Sequence, residues 1–331
     1  MQTLYISLIM ISALVMASVM VPLMLYFLRR AAAYAEVNER TNHESPVPTG
    51  VGFGLIIVAA GFMVIGHAPE AIIAGMLAMS VTGLIDDLKG LSVRIRLGMQ
   101  AAVVAYGLTA LTGSVFQGLL PSWAEYAVLG LAWLWMINLT NFMDGIDEIT
   151  AGNTITLCLG LVLVTMLHAG SGAATGIDAG LILVCLLAFY PYNRHPAHCF
   201  LGDAGSLPLG FVTGYLLFHL AGEGLWEAAL ILPAYYLTDA TLTLLARGLR
   251  GEKVWKAHSE HFYQKAVRRG WTHAQVAHRV IALNLLMVVL AVATLYMPSH
   301  TWGLVVVAYL GALALCLQFR KVKFSGMAHA A

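Results

Sequence analysis

Asn138, Asn141, Asp144 and Asp147 follow one another at steps of three between two apolar runs. Polar and ionisable groups are costly at such a boundary, so their concentration there calls for a function. On a continuous helix, with about 100° of rotation per residue, the four would spread over one half of the surface. A break near Gly145 would put the carboxylates on a loop instead. Either arrangement lets them converge on one ligand, and paired amides and carboxylates suit the hydrogen-bonding edges of a base or a sugar. The plain structural alternative is helix capping by Asn141 or Asp144.

Three more segments concentrate reactive residue types. Asp86 and Asp87 are adjacent at the end of an apolar run. Neighbouring carboxylates repel unless a cation or a hydrogen-bond network offsets the repulsion, so the pair can hold magnesium or supply a base. Alternatively it is a solvated helix end with Lys89 as counter-ion. In Phe200-Leu-Gly-Asp203-Ala-Gly205-Ser206 the glycines let backbone approach a ligand. A carboxylate at a helix N-terminus can ligate a magnesium ion bound to phosphate. Here the alternatives are capping by Asp203 or Ser206, and simple packing for Phe200. His258 and His261 stand at i and i+3 within the basic segment 248–278, which would place them on one helical face to grip phosphate or a metal. Arg247, Arg250, Lys253, Lys256, Lys265, Arg268 and Arg269 surround them, with Trp255 and Trp271 interleaved. Such a segment rests naturally on anionic lipid, and it would also draw in an anionic substrate.

These residues must be positioned by a membrane framework. The chain has 331 residues, of which 60% are hydrophobic and only 11% charged, against about 25% charged in a soluble domain; mean hydropathy is +0.79. The expected fold is an all-α polytopic membrane protein, a single integral membrane domain over residues 1–331. Eleven runs can cross a hydrocarbon core of about 30 Å: 4–28, 50–67, 70–85, 97–115, 124–141, 153–169, 177–192, 206–221, 227–247, 279–297 and 302–319. The first is too long for a signal h-region and has no basic residue before it, so no cleaved leader is expected. Arg29 and Arg30 follow it, which favours a periplasmic N-terminus. The alternate segments and their flanks then hold Arg29, Arg30 and Arg40; Lys89, Arg94 and Arg96; Arg194; Arg247 to Arg279; and Arg320, Lys321 and Lys323. Together these are all 18 Lys and Arg residues. A wrong span count would scramble that alternation, so the C-terminus and the clustered polar segments are expected on the cytoplasmic side, with the active site formed by cytoplasmic loops. The opposite loops are short and bland.

Several classes are disfavoured. The four cysteines form no CxxC pair and no disulfide framework, and neither a disulfide nor a zinc site is expected. There is no Walker A motif, and Gly50-Val-Gly52-Phe-Gly54 lacks the strand–helix context of a dinucleotide fingerprint. The expected partners are membrane lipids, not nucleic acid. Acidic clusters for magnesium, glycines and basic groups on one face suit phosphoryl transfer, which needs positioning and charge neutralisation. A soluble phosphorylated donor could meet a lipid acceptor there. The main alternative is a transporter or ion channel with the acids as a cation path. Against it, the acids cluster at one interface, not at the bilayer midplane. A scaffolding subunit would leave the polar clusters without a role.

Taken in order, Asp86-Asp87, Asn141-Phe-Met-Asp144-Gly-Ile-Asp147, Phe200-Leu-Gly-Asp203-Ala-Gly-Ser206 and the His258/His261 segment resemble the polyprenyl-phosphate N-acetylhexosamine-1-phosphate transferases, glycosyltransferase family 4. The resemblance covers about residues 38–280. The last segment looks closest to the O-antigen-initiating branch. The resemblance implies transfer of a HexNAc-1-phosphate from a UDP-N-acetylhexosamine to undecaprenyl phosphate, with release of UMP, at the bacterial inner membrane. It implies magnesium as cofactor, with manganese as a substitute, and a homodimer. Asp203 would be the main magnesium ligand, assisted by Asp87. Asp86 and Asp87 would hold or deprotonate the lipid phosphate. Asn138, Asn141, Asp144 and Asp147 would form the nucleotide wall, Phe200 would lie against uracil, and His258 and His261 would hold diphosphate oxygens. Two departures stand out. Glu148 occupies a position usually glycine in the family. The family's PTPRGGG-like motif reads Pro46-Val-Pro48-Thr49-Gly50-Val51-Gly52, so Thr49 replaces an arginine and Val51 a glycine; Arg96 is the expected substitute cation.

Overall fold

The apolar runs fold as helices. In a computed structural model describing residues 2–31, 47–168, 173–254 and 258–321, the elements are α1 (Gln2–Arg30), α2 (Val51–Ile65), α3 (Glu70–Lys89), α4 (Val93–Gly107), α5 (Ser122–Phe142), α6 (Ile149–Leu167), α7 (Ala173–Asn193), α8 (Asp203–Gly222), α9 (Trp226–Ile231), α10 (Ala234–Leu249), α11 (Phe262–Arg268), α12 (His273–Ala293) and α13 (Thr301–Lys321). Among the described residues there is no strand, only an isolated parallel bridge between Thr49 and Phe200. Arg40, Pro46, Trp255, Lys256 and Lys323 lie outside the described residues.

The protein is an all-α, multi-pass membrane protein. Among the described residues, seven helices are long and apolar enough to cross a bilayer: α1, α3, α6, α7, α8, α12 and α13, the last together with its preceding turn. The other four expected runs are helical but less complete. Helix α2 has 15 residues, about 22 Å at 1.5 Å per residue. Helix α4 also has 15 and continues as a 3-10 turn over Leu108–Ala110. Helix α5 is long but carries Glu125, Asn138 and Asn141. The run 227–247 breaks at Leu232-Pro233 into α9 and α10, because proline has no N–H to continue the ladder. Exposed Leu4, Leu8, Ile11, Val15 and Val19 on α1, and Val306 and Leu310 on α13, suit a lipid-facing surface.

Helix α8 is the centre of the bundle. Nearly all its side chains are buried, and it packs on α2, α3, α5, α6, α7 and α9. Close approach of backbones sets that packing, as expected where no hydrophobic effect drives helices together. A β-carbon on Gly83 of α3 would overlap the Asp203 carbonyl, and one on Gly52 of α2 would overlap Gly205. One on Gly210 would come within 2.7 Å of the Ile137 Cα on α5. Trp133 of α5 donates its indole N–H to the Phe211 carbonyl at 2.7 Å and stacks on the Phe211 ring at 4.9 Å.

These contacts, with the polar ones below, bring the C-terminal ends of α3, α5 and α7 to the N-terminal ends of α2, α6, α8, α11 and α12. The clustered polar segments therefore share one end of the bundle. The prediction concerns the glycine approach. Gly83→Ala should cost about 1–3 kcal/mol through overpacking, read as a lower melting temperature in detergent. Gly98→Ala, where a β-carbon meets nothing within 4 Å, should leave the melting temperature unchanged or slightly raised.

Candidate active site

Helix α3 ends in a left-handed turn at Gly90 (φ 66°), and Ser92 caps α4 by accepting from the Ile95 N–H. This tight reversal puts Arg96, one turn into α4, beside the acidic pair. Its Nη1 lies 3.3 Å from Asp86 Oδ2 and 3.9 Å from Asp203 Oδ2. Asp86 Oδ1 also accepts the Leu91 N–H at 2.6 Å. Arg96 Nε is buried with no hydrogen-bond partner among the described residues.

Asp87 does different work. Its two oxygens accept the N–H groups of Asp203 and Ala204, at 3.0 and 3.1 Å. These donors open α8 and have no intrahelical partner, and a carboxylate at a helix N-terminus also meets the positive end of the dipole. Gly202 permits the approach. It has φ 71°, and a β-carbon there would lie 2.9 Å from the Gly50 nitrogen and the Thr49 Oγ1, and against Asp87. Pairing of the Phe200 N–H with the Pro48 carbonyl at 2.9 Å, and of the Gly52 N–H with the Leu201 carbonyl at 3.0 Å, holds the altered N-terminal motif alongside.

Asp203 completes the group. Asn141, in the last turn of α5, donates to Asp203 Oδ1 at 2.6 Å and to the Ser206 hydroxyl at 3.0 Å. Asp86, Asp87, Arg96, Asn141 and Asp203 are thus brought together from α3, α4, α5 and α8. Three carboxylates against one guanidinium leave an excess of negative charge, and the donors are all hard oxygens. That donor set fits a magnesium ion.

The remaining expected residues are placed differently. Asn138 lies inside the bundle, its amide donating to Gln100 Oε1 and to the Leu134 carbonyl, both at 2.7 Å. It ties α5 to α4 and is not brought to the carboxylate group. Helix α5 stops at Phe142, so Asp144 and Asp147 lie on the loop that follows. Asp144 is partly buried, and burial pushes its carboxyl from the ordinary 3.8 up to about 7; the Thr150 hydroxyl opposes that shift and the charge of Asp87 adds to it.

Asp147 is turned toward α7 and α12. Its Oδ2 lies 2.6 Å from His195 Nδ1 and 3.4 Å from His273 Nδ1, and accepts the Ala197 N–H at 3.2 Å. These three residues offer ligand-type atoms within 4.8 Å of one another. Glu148 adopts φ 68°, a left-handed conformation that glycine takes up without strain. Its carboxylate accepts from the Tyr190 hydroxyl at 2.8 Å and the His195 N–H at 2.9 Å, and lies 3.0 Å from His278 Nε2. Its own N–H donates to Asn193 Oδ1 at 3.1 Å. Glu148 therefore ties the start of α6 to α7 and α12.

His258 and His261 are not on a common helical face. Helix α11 starts only at Phe262, and His258 lies on the approach to it. The rings are nevertheless neighbours, with centroids 4.9 Å apart. The basic segment is partly neutralised from within. Arg247 pairs with Glu252 at 2.8 Å and Arg250 with Glu252 at 2.6 Å and with Glu260 at 2.7 Å. Sequence reading missed His195, His273, His278 and Asp239, the last of which contacts His261. The three histidines belong to no spaced motif. The signal for Asp239 was a carboxylate in the middle of the run 227–247, whose other acid, Glu227, stands at its start.

A polytopic helical membrane protein with a carboxylate-rich group at one end of its bundle is the class so defined. A profile of glycosyl transferase family 4 matches residues 70–221. A Picosynechococcus phospho-N-acetylmuramoyl-pentapeptide-transferase is 30% identical over 75% of this chain and 73% of its own. A Bacillus subtilis probable undecaprenyl-phosphate N-acetylglucosaminyl 1-phosphate transferase is 25% identical over 82% of this chain and 79% of its own. The chain belongs to glycosyl transferase family 4.

The Asp144 carboxyl gives a pH prediction. Its folded value lies above its unfolded one, so its contribution to stability is full below the ordinary carboxylate range and is lost as pH rises through about 7. The ligand-free protein should melt at progressively lower temperature from pH 5 to about pH 7 and level off above it, and Asp144→Asn should reduce that slope. An unchanged slope in the variant would assign it to other groups.

Proposed function

We propose that the protein transfers a HexNAc-1-phosphate from a UDP-N-acetylhexosamine to undecaprenyl phosphate, releasing UMP. The observation that carries this reading is the gathering of Asp86, Asp87, Arg96, Asn141 and Asp203 from four helices into one oxygen-rich group. Family membership and the activities that the relatives' names give support it. A lipid phosphate oxygen attacks the β-phosphorus of the donor, a phosphorus–oxygen bond forms, and the bond to UMP breaks.

Asp203 is the principal residue to hold magnesium, or manganese in its place, with Asp86 and Asp87 contributing charge beside it. Bound there, the ion would neutralise diphosphate oxygens. Arg96 supplies the cation that Thr49 does not, next to both Asp86 and Asp203. Asn141 fixes the Asp203 carboxylate. Asp86 holds or deprotonates the lipid phosphate. Asp144, Asp147 and Phe200 border the nucleotide, with Asp147 oriented by its histidines, and His258 and His261 hold diphosphate oxygens. The lysine and arginine distribution puts this end of the bundle in the cytoplasm, where UDP-sugars are, and the membrane is the bacterial inner membrane. The product initiates a lipid-linked surface polysaccharide of the O-antigen kind, made by a homodimer.

The test is UMP release by purified protein with magnesium, undecaprenyl phosphate and a donor panel. The panel should span UDP-GlcNAc, its 6-deoxy relatives and UDP-MurNAc-pentapeptide. One UDP-HexNAc should be turned over well above the others, and Asp203→Asn should lower the rate by about a hundredfold or more without lowering the melting temperature. No release from any donor would sink the reading. Turnover of the pentapeptide donor alone would move the protein to cell-wall synthesis.

A further inference from the structure

Asp239 lies within α10, and its side chain is fully shielded from solvent (0% exposed). A charge so placed needs thorough compensation. Five donors converge on it. Oδ1 accepts the Phe262 N–H at 3.0 Å and the Thr243 hydroxyl at 3.3 Å, and lies 3.2 Å from His261 Nδ1. Oδ2 accepts the Tyr235 hydroxyl at 3.1 Å and the Tyr263 N–H at 3.2 Å. Two of the donors are the backbone N–H groups that open α11, which otherwise lack partners. Anchoring α11 requires only those two bonds. The contact with the imidazole is a further one, and it determines chemistry.

Two groups compete for His261 Nδ1. The Gln264 N–H of the α11 capping box would use it as an acceptor, whereas the Asp239 carboxylate at 3.2 Å only accepts and requires a proton on it. With the proton toward Asp239, Nε2 is left for another partner. His261 is 1% exposed, and its Nε2 is buried with no hydrogen-bond partner among the described residues. Leaving a buried polar atom unsatisfied is unfavourable, and in a native fold it marks a place where a ligand atom belongs. The ring packs against Phe142 at 6.3 Å between centroids. Phe142 is the neighbour of Asn141, which holds Asp203. The His261 ring thus packs on the residue that follows Asn141 at the end of α5.

We propose that Asp239 is a positioning residue that fixes the His261 ring with a proton on Nδ1, presenting Nε2 to a phosphate oxygen of the bound sugar donor. This rests on the proposed function for the identity of the ligand. Nε2 donates to an anion only in the doubly protonated ring, and the Asp239 carboxylate balances the charge of that ring inside the protein. His261 is then the phosphate contact, and Asp239 acts through it.

Two measurements test this. The first is the nitrogen-15 spectrum of histidine-labelled protein, with the His261 signals identified by their loss in His261→Gln. Nδ1 of His261 should be protonated in the wild type, and Asp239→Asn should redistribute protons between the two ring nitrogens. A lone pair on Nδ1 in the wild type overturns the proposal, and that result needs no variant of Asp239 to fold. The second is a kinetic cycle on UMP release. Asp239→Asn should lower kcat by about ten- to a hundredfold, as for groups coupled by direct contact, with the donor KM little changed. In a His261→Gln background the same substitution should cost less than about twofold. Independent, multiplying losses would make Asp239 a merely structural anchor of α11 and overturn the proposal. Thr243→Val, which removes a donor from the same oxygen without touching His261, should keep kcat within about twofold. If the wild type releases no UMP with any donor, the functional reading fails, while the wild-type spectrum still decides the placement of the proton.

Discussion

The contact on which the rest depends is the carboxylate of Asp87 on the first two N–H groups of α8. It joins the end of one helix to the start of another at the point where both leave the apolar bundle. Charge opposes the helix dipole favourably, and the missing β-carbon at Gly83 lets the backbones meet closely enough for the bonds to form. Asp203 is the first residue of α8, so the bond that starts the helix also places the carboxylate that Asn141 and Arg96 then hold. The same geometry fixes Gly202 and, through it, the Thr49–Phe200 bridge. An acidic pair that reads in sequence as two equivalent ligands is divided in the fold: one carboxylate meets the guanidinium, the other supports backbone.

A second layer surrounds this group. On one side Asp147 and Glu148 join the α5–α6 loop to α7 and α12 through histidines and a tyrosine. On the other, Asp239 joins α10 to α11. Both use buried carboxylates whose oxygens are shared between backbone N–H groups and side chains. Such networks are favourable only when well satisfied, and they then hold a unique arrangement. The loops around the site are thus tied to the helices by buried carboxylates, which is how they keep their shape at the edge of a bilayer.

Much of this was legible in the sequence. Apolar length located the helical segments, because in a membrane every backbone group must be bonded within its own segment. Of the eleven expected spans, however, seven are long and apolar enough to cross among the described residues, and the run 227–247 is two helices. The association of Asp86-Asp87, Asn141 and Asp203 was also legible, since polar residues concentrated at span ends have few other roles. What was not legible depends on depth in the bundle and on distance in the chain. Asn138 is three residues from Asn141 and on a neighbouring part of the same helix surface, yet it lies about one turn deeper, where Gln100 of α4 takes its amide. His258 and His261 are neighbours through a loop, not a helix face. Asp147 pairs with residues 48 and 126 positions later in the chain, and no local pattern reports such pairs. The break at Pro233 was readable from proline itself, but it lay hidden within a long apolar run.

Glu148 carries a lesson about how such a chain diverges. A left-handed backbone is tolerated by glycine and strains a glutamate by about 1–2 kcal/mol. Its carboxylate here holds Tyr190, the His195 N–H and His278. Glycine at this position would relax the backbone but remove the acceptor that joins the half-buried Tyr190 to the exposed His278 and His195. The strained residue is therefore kept by what it ties together: one carboxylate holds the start of α6 to two other helices. A different α5–α6 loop grafted onto this chain would have to supply an equivalent acceptor for Tyr190 and His278.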